Sequence, residues 1–252
     1  MRDPHRVNLF QKTPFLILNI IMREKSSFKG GNVIKRKILF SSYVDEERIV
    51  TTPKEIELRN IANHYRYLIS IPFRNRIKQR IAVVIMKNPS EAGIFDNSIN
   101  RRLSDDTIYN VCDYLYKHSF NFSKVIILNL FPIFGPNMKN LVNDKPNELL
   151  GEDLNSNKNN EVFSEVFNSL NHVPHRIILA WGGYPNLGNN LPKVVKAKFR
   201  KLYKDRINEV INIIGNRPTY KVGDSLSGSK FPAHGKVWYD FEPMKQFSHP
   251  IV

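Results

Sequence analysis

Ile81-Ala82-Val83-Val84-Ile85-Met86, followed at once by Lys87-Asn88-Pro89-Ser90, is the stretch that decides the fold. Six apolar residues without polar alternation read as a strand covered on both faces, and such strands belong to mostly parallel sheets packed between helices. Pro89 then ends the run, because it fixes its own φ and pushes Asn88 out of the helical region. Residues 125–130, 177–181 and, more weakly, Thr219–Val222 repeat the apolar pattern downstream. Helix-like segments near 104–119, 161–170 and 191–214 fill the intervals. In the first of them Ser104, Asp105 and Asp106 favour a helix N-terminus, and Ile108, Val111, Cys112 and Leu115 recur at helical spacing. The alternation predicts an α/β fold: three αβα layers around a central, mostly parallel four-stranded sheet, preceded by an N-terminal β-rich extension.

A chain of 252 residues, 41% of them hydrophobic, can bury one substantial core. The expected division is a basic arm and β-rich extension over 1–60 and one α/β domain over 61–252. Residues 36–43 and 66–72 read as strands leading into the core, and 73–76 as a turn. Residues 29–32 and 155–160 read as loops. The apolar run from Phe15 to Met22 is too short to span a bilayer, and no membrane partner is expected.

With 38 Lys and Arg against 23 Asp and Glu, the formal charge of +15 attracts polyanions, because each phosphate neutralised releases condensed counterions. Nucleic acid is the leading partner; the plainer alternative is cationic charge spread over a solvated surface. Cys112, the single cysteine, excludes an internal disulfide framework, and no Cys/His cluster has metal-site spacing. These features predict a cytoplasmic monomer without metal or cofactor.

In open parallel sheets ligands bind beyond the carboxyl ends of the strands, so the loop after each run is informative. The runs lead into Lys87-Asn88-Pro89-Ser90, Asn129-Leu130-Phe131-Pro132, Trp181-Gly182-Gly183-Tyr184, and a last loop from Gly223 to Lys236. Asn88 has a carbonyl that can orient a water. Asn129, at the end of an apolar strand, has an amide that must find partners and can read the edge of a base. His234 can donate to an oxygen that gains negative charge. Lys87, Phe131 and Tyr184 are candidates to hold and stack on a base, and Ser90, Ser227, Ser229, Lys230 and Lys236 to contact phosphates. Each has a plainer reading: an ordinary turn for Asn88, a structural amide for Asn129, a solvated loop imidazole for His234, core for the aromatics and surface charge for the lysines.

The order Met86-Lys87-Asn88-Pro89-Ser90, Ile127-Leu128-Asn129-Leu130-Phe131-Pro132, Leu179-Ala180-Trp181-Gly182, Pro232-Ala233-His234 resembles a bacterial and phage family of domains of unknown function. That family in turn resembles the uracil-DNA glycosylase superfamily, over about residues 80–240. The resemblance implies that Asn88 holds the hydrolytic water, Asn129 reads the base and His234 stabilises the departing base. Two departures carry meaning: Gly235 follows His234 in place of the usual Pro-Ser, and Ser90 replaces the Tyr that excludes 5-substituents. The implied activity is a monofunctional DNA glycosylase, leaving an abasic site and acting on uracil or on a bulkier 5-modified pyrimidine, with a defence role against modified viral DNA. A non-catalytic nucleic-acid-binding module and a hydrolase of free nucleosides or nucleotides are the competing readings.

Overall fold

The computed structural model describes residues 37–54, 65–134, 157–185 and 191–248; the basic arm, the 29–32 loop and the run from Phe15 to Met22 lie outside them. The described elements are β1 (Val50–Thr52), β2 (Leu68–Pro72), β3 (Ile81–Met86), β4 (Phe95–Asp96), β5 (Arg101–Arg102), α1 (Asp106–Lys117), β6 (Lys124–Asn129), α2 (Lys158–Ser169), β7 (His175–Leu179), α3 (Lys193–Ile214), β8 (Thr219–Val222) and β9 (Met244–Gln246). They belong to one compact unit, Lys37–Val252.

Seven strands form one sheet in the order β1-β2-β6-β3-β7-β8-β9, with β4 and β5 paired apart. The expectation of a four-stranded sheet is corrected. The four apolar runs do form a parallel centre, β6-β3-β7-β8. Antiparallel strands extend it on both sides, β2 and β1 beside β6 and β9 beside β8. These outer strands cover backbone groups that a four-stranded sheet would leave open at its edges. They are short or partly exposed, which is why their patterns stand out less in the sequence.

β3 is buried at all six positions. Ile81, Val83 and Ile85 pack into a core with Val162, Phe163 and Phe167 of α2 and Phe199, Tyr203 and Ile207 of α3. Ala82, Val84 and Met86 pack on the other face with Ile108, Val111, Cys112 and Leu115 of α1. The strand period of two thus divides the interior into two cores and three layers, each large aliphatic side chain contributing about 1.5–3 kcal/mol. Asp105 starts α1 by accepting from the Thr107 and Ile108 amides, and Asn157 starts α2 by accepting from the Asn160 amide.

The strand expected over 36–43 is also corrected: within its described part only Leu39 makes a β-bridge, to Leu103, and the segment otherwise packs without a ladder. β7 begins and ends two residues earlier than expected. Ala180 still donates to the Ile85 carbonyl at 2.8 Å, but Trp181 owes its burial to the core beyond the ladder.

Candidate functional site at the carboxyl edge of the parallel core

The β3–β6 register pairs Met86 with Asn129, and two further bonds extend it past the strands: Leu130 N–H donates to Met86 O at 2.8 Å and Phe131 N–H to Lys87 O at 2.9 Å. The Lys87-Asn88 loop and the Asn129-Phe131 turn are therefore one rigid piece. Asn129 is 1% exposed, and its side-chain nitrogen has no hydrogen-bond partner among the described residues. Its backbone carbonyl accepts from Asn159 Nδ2 at 3.0 Å, and the next carbonyl, of Leu130, accepts from Arg206 Nε at 2.7 Å. An orphaned buried amide costs roughly 1–3 kcal/mol, a cost that a ligand acceptor would remove.

Lys87 is half-buried and donates to the Gly183 carbonyl at 2.6 Å, with its ammonium 5.6 Å from the ring centroid of Tyr203. Burial pushes its pKa down to about 8. Gly183 N–H in turn donates to Ser227 Oγ at 3.0 Å, tying β7's loop to the last loop. Gly182 has φ +69°, and a Cβ there would lie 3.1 Å from His234 Cβ. Glycine is needed both for the left-handed backbone and for the imidazole that rests on it.

His234 stands before a short 3-10 turn, Gly235–Val237, and its Nδ1 accepts from the Lys236 amide at 3.2 Å. That bond leaves Nε2 carrying the proton of the neutral ring. Burial, and then the positive charge of Lys87, push its pKa down to about 4, with Asp105 opposing. Gly235 packs where a Cβ would come 2.6 Å from Val111 Cγ2 of α1, which gives a steric reason for glycine after this histidine.

The remaining candidates are spread around this centre. Asn88, half-buried, donates from Nδ2 to the Pro89 carbonyl at 3.2 Å. Ser90 donates to Asp105 and faces a helix cap rather than open surface. Phe131 is fully buried, its ring 6.1 Å from that of Tyr203 and 6.3 Å from that of Phe199, and it presents no open face for a base. Tyr184 is half-buried, edge-on to Phe231 at 5.0 Å. Ser229 and Lys230 lie on the exposed tip of a hairpin closed by Ser227 and Phe231, and Lys236 is exposed beyond His234. The structure thus joins Lys87, Gly182, Gly183, Ser227 and His234 directly, and holds Asn129 on the same edge through its pairing with Met86.

Two residues acquire a place here that sequence reading gave them only as strand and helix positions. Asp105 caps α1, accepts from Ser90 and biases His234 electrostatically. Arg66 is 1% exposed, donates to the Ala92 carbonyl, stands 5.3 Å from the Phe134 ring centroid and keeps an unpartnered Nε among the described residues. Burial pushes its pKa down to about 10. The available signal was a permanent cation at the head of an apolar strand, which the register of β2 on β6 carries to this edge.

Among the described residues no group of three His, Cys, Asp or Glu is arranged to hold a metal, and no helix is long and apolar enough to cross a membrane. Fold and site define a mixed α/β domain whose polar groups gather on loops beyond the carboxyl ends of parallel strands. The chain belongs to the family described as Protein of unknown function (DUF1643), whose model matches residues 66–234. That span opens on Arg66 and closes on His234. No curated protein and no solved structure matches the chain.

Proposed function

We propose that the chain is a monofunctional DNA glycosylase of the uracil-DNA-glycosylase type, which extrudes a pyrimidine nucleotide and hydrolyses its N-glycosidic bond. The observation that carries this reading is a neutral imidazole, its Nδ1 occupied by the Lys236 amide, on the same edge as the orphaned donor of Asn129. A base carbonyl is the acceptor that Asn129 Nδ2 lacks. As the bond from sugar to base breaks, its electron pair passes to the base, and the Nε2–H of His234 donates to the oxygen where that charge gathers. The Lys87 ammonium adds a favourable field. Asn88 holds the water that adds to the sugar carbon; the water's proton passes to solvent, the base leaves and takes up a proton, and an abasic site remains. An amide is a weak general base, so positioning and charge stabilisation supply most of the rate.

Phe131 then acts as a floor beneath Tyr203 rather than as an open stacking platform. Ser90, held by Asp105, puts no aromatic ring beside the base, and this favours a 5-modified pyrimidine, such as a modified cytosine of phage DNA, alongside uracil. Such a preference fits antiviral defence.

The test is a panel of oligonucleotides containing uracil, mismatched thymine or modified cytosines, incubated with the protein and then treated with alkali. Strand breakage on one or more members, abolished by His234→Ala, is expected. Breakage on none overturns the proposal; salt-sensitive binding without breakage then supports a non-catalytic module, and turnover of free nucleosides supports a small-molecule hydrolase.

A further inference from the structure

The first twelve residues of α3 carry Lys193, Lys196, Lys198, Arg200, Lys201 and Lys204 before the first acidic residue, Asp205. The last turn of the same helix has no basic residue. A helix dipole favours the reverse distribution, so these cations oppose the dipole of their own helix as well as repelling one another. Lys193, Lys196, Arg200, Lys201 and Lys204 line, together with Tyr184, an open groove of about 760 Å³. Lys201 is drawn aside by Asp205 at 2.7 Å. Lys193, Lys196, Arg200 and Lys204 recur at steps of three, four and four, which places them on one face of the helix. At 1.5 Å per residue that face runs about 16 Å, long enough to follow about three or four phosphates of one strand.

The groove adjoins the carboxyl-edge site. The Arg200 guanidinium stands 5.6 Å from the ring centroid of Tyr184. Tyr184 directly follows Gly183, whose carbonyl receives Lys87 and whose amide holds Ser227. A strand lying along α3 therefore reaches the loop on which His234 rests.

We propose that this α3 groove seats the phosphate backbone of the DNA strand on one flank of the reacting nucleotide, with Lys193, Lys196, Arg200 and Lys204 binding its phosphates. The occupant is named on the strength of the glycosylase reading. The phosphate-binding residues expected from sequence lie elsewhere, on the loops of Ser90, Ser227–Lys230 and Lys236, so this is a second and separate track. Counterion release makes it measurable: removing one cation that neutralises a phosphate lowers the salt slope of binding by about 0.7–0.9.

The experiment is a fluorescence-anisotropy titration of a labelled, unmodified DNA oligonucleotide, single-stranded and duplex, at several salt concentrations. The proteins compared are the wild type, Lys198→Gln, and the fourfold variant K193Q/K196Q/R200Q/K204Q. The fourfold variant is expected to bind at least tenfold more weakly at low salt, with a slope shallower by about 3. Lys198→Gln, which lies off the groove lining, keeps wild-type binding. The pairs K193Q/K196Q and R200Q/K204Q each give about half the slope change, and circular dichroism establishes that α3 is intact in every variant. A wild-type slope in the folded fourfold variant or in both folded pairs overturns the groove and leaves the glycosylase reading standing. Absence of salt-sensitive binding by the wild type itself overturns both.

Discussion

At the amino edge of the parallel core, Arg80 donates to the Phe120 carbonyl at 2.8 Å and stands over the Phe120 ring, while Ser123 bonds its backbone from both sides. Arg176 covers the same ring and that of Tyr220. Arg76 lies over Tyr116 and donates to its carbonyl, with Nε left over as the exception among the described residues. At the carboxyl edge, Asn129 Nδ2, Asn159 Oδ1 and Arg66 Nε are all buried without partners among the described residues, and His234 and Lys87 have pKa values pushed down by burial. Both edges hold polar groups against an apolar interior. One edge satisfies nearly all of them internally, and the other retains an unmet demand for hydrogen bonds and charge. That unmet demand, more than the residue types, separates a structural edge from a candidate site.

The sharpest way to break this contrast is His234→Ala. It is expected to lower excision by about a hundredfold to a thousandfold in single-turnover assays with DNA binding intact, and a loss under about threefold removes His234 from the chemistry. Asn129→Leu comes next: excision falls about tenfold to a hundredfold while thermal stability holds or rises, since a buried orphan is replaced by an apolar group of similar size. A marked drop in melting temperature would instead make Asn129 a structural amide.

The pH profile sharpens the comparison further. His234 gains its proton as pH falls through about 4, when Nδ1 can no longer accept from Lys236. Lys87 loses its proton as pH rises through about 8, removing the cation from the proposed base site. Excision should plateau between these limits and fall on both sides. Both folded-state values lie below the ordinary ones, so the unfolded chain binds more protons in each window. Stability should therefore rise with pH from about 4 to about 6.5 through His234, and from about 8 to about 10.4 through Lys87, as measured by urea denaturation.

Gly182→Ala should cost about 1–2 kcal/mol through its left-handed backbone and lower excision severalfold by displacing His234. Arg80→Ala, at the satisfied edge, should cost about 1–3 kcal/mol of stability with excision per folded molecule unchanged.

The parallel centre is legible in the sequence because a strand buried on both faces is apolar throughout, as Ile81–Met86 is; Thr219–Val222, which carries Thr219 and Lys221, gives a weaker pattern, yet both read correctly to the residue. Helix starts are legible where a side chain caps them, as at Asp105. β1 and β9, three residues each, leave too little pattern to read, and their existence depends on partners distant in sequence. At the site, the loops after each strand are legible from topology alone. The burial of Phe131 is not, because an aromatic residue after a strand looks alike whether it faces solvent or α3. Nor is the part played by Arg66, which only the β2–β6 register brings to the edge.

The seating of His234 on Gly182 also has a temporal meaning. Lys87, Asn88 and Asn129 are fixed once β3 and β6 pair, but the imidazole arrives with the last loop, long after β7 has been laid down. A chain halted during synthesis before that loop lacks both the imidazole and the β9 edge strand. Under the proposed chemistry, a chain that ends before that loop lacks the charge-stabilising imidazole, so base excision would belong only to the completed fold.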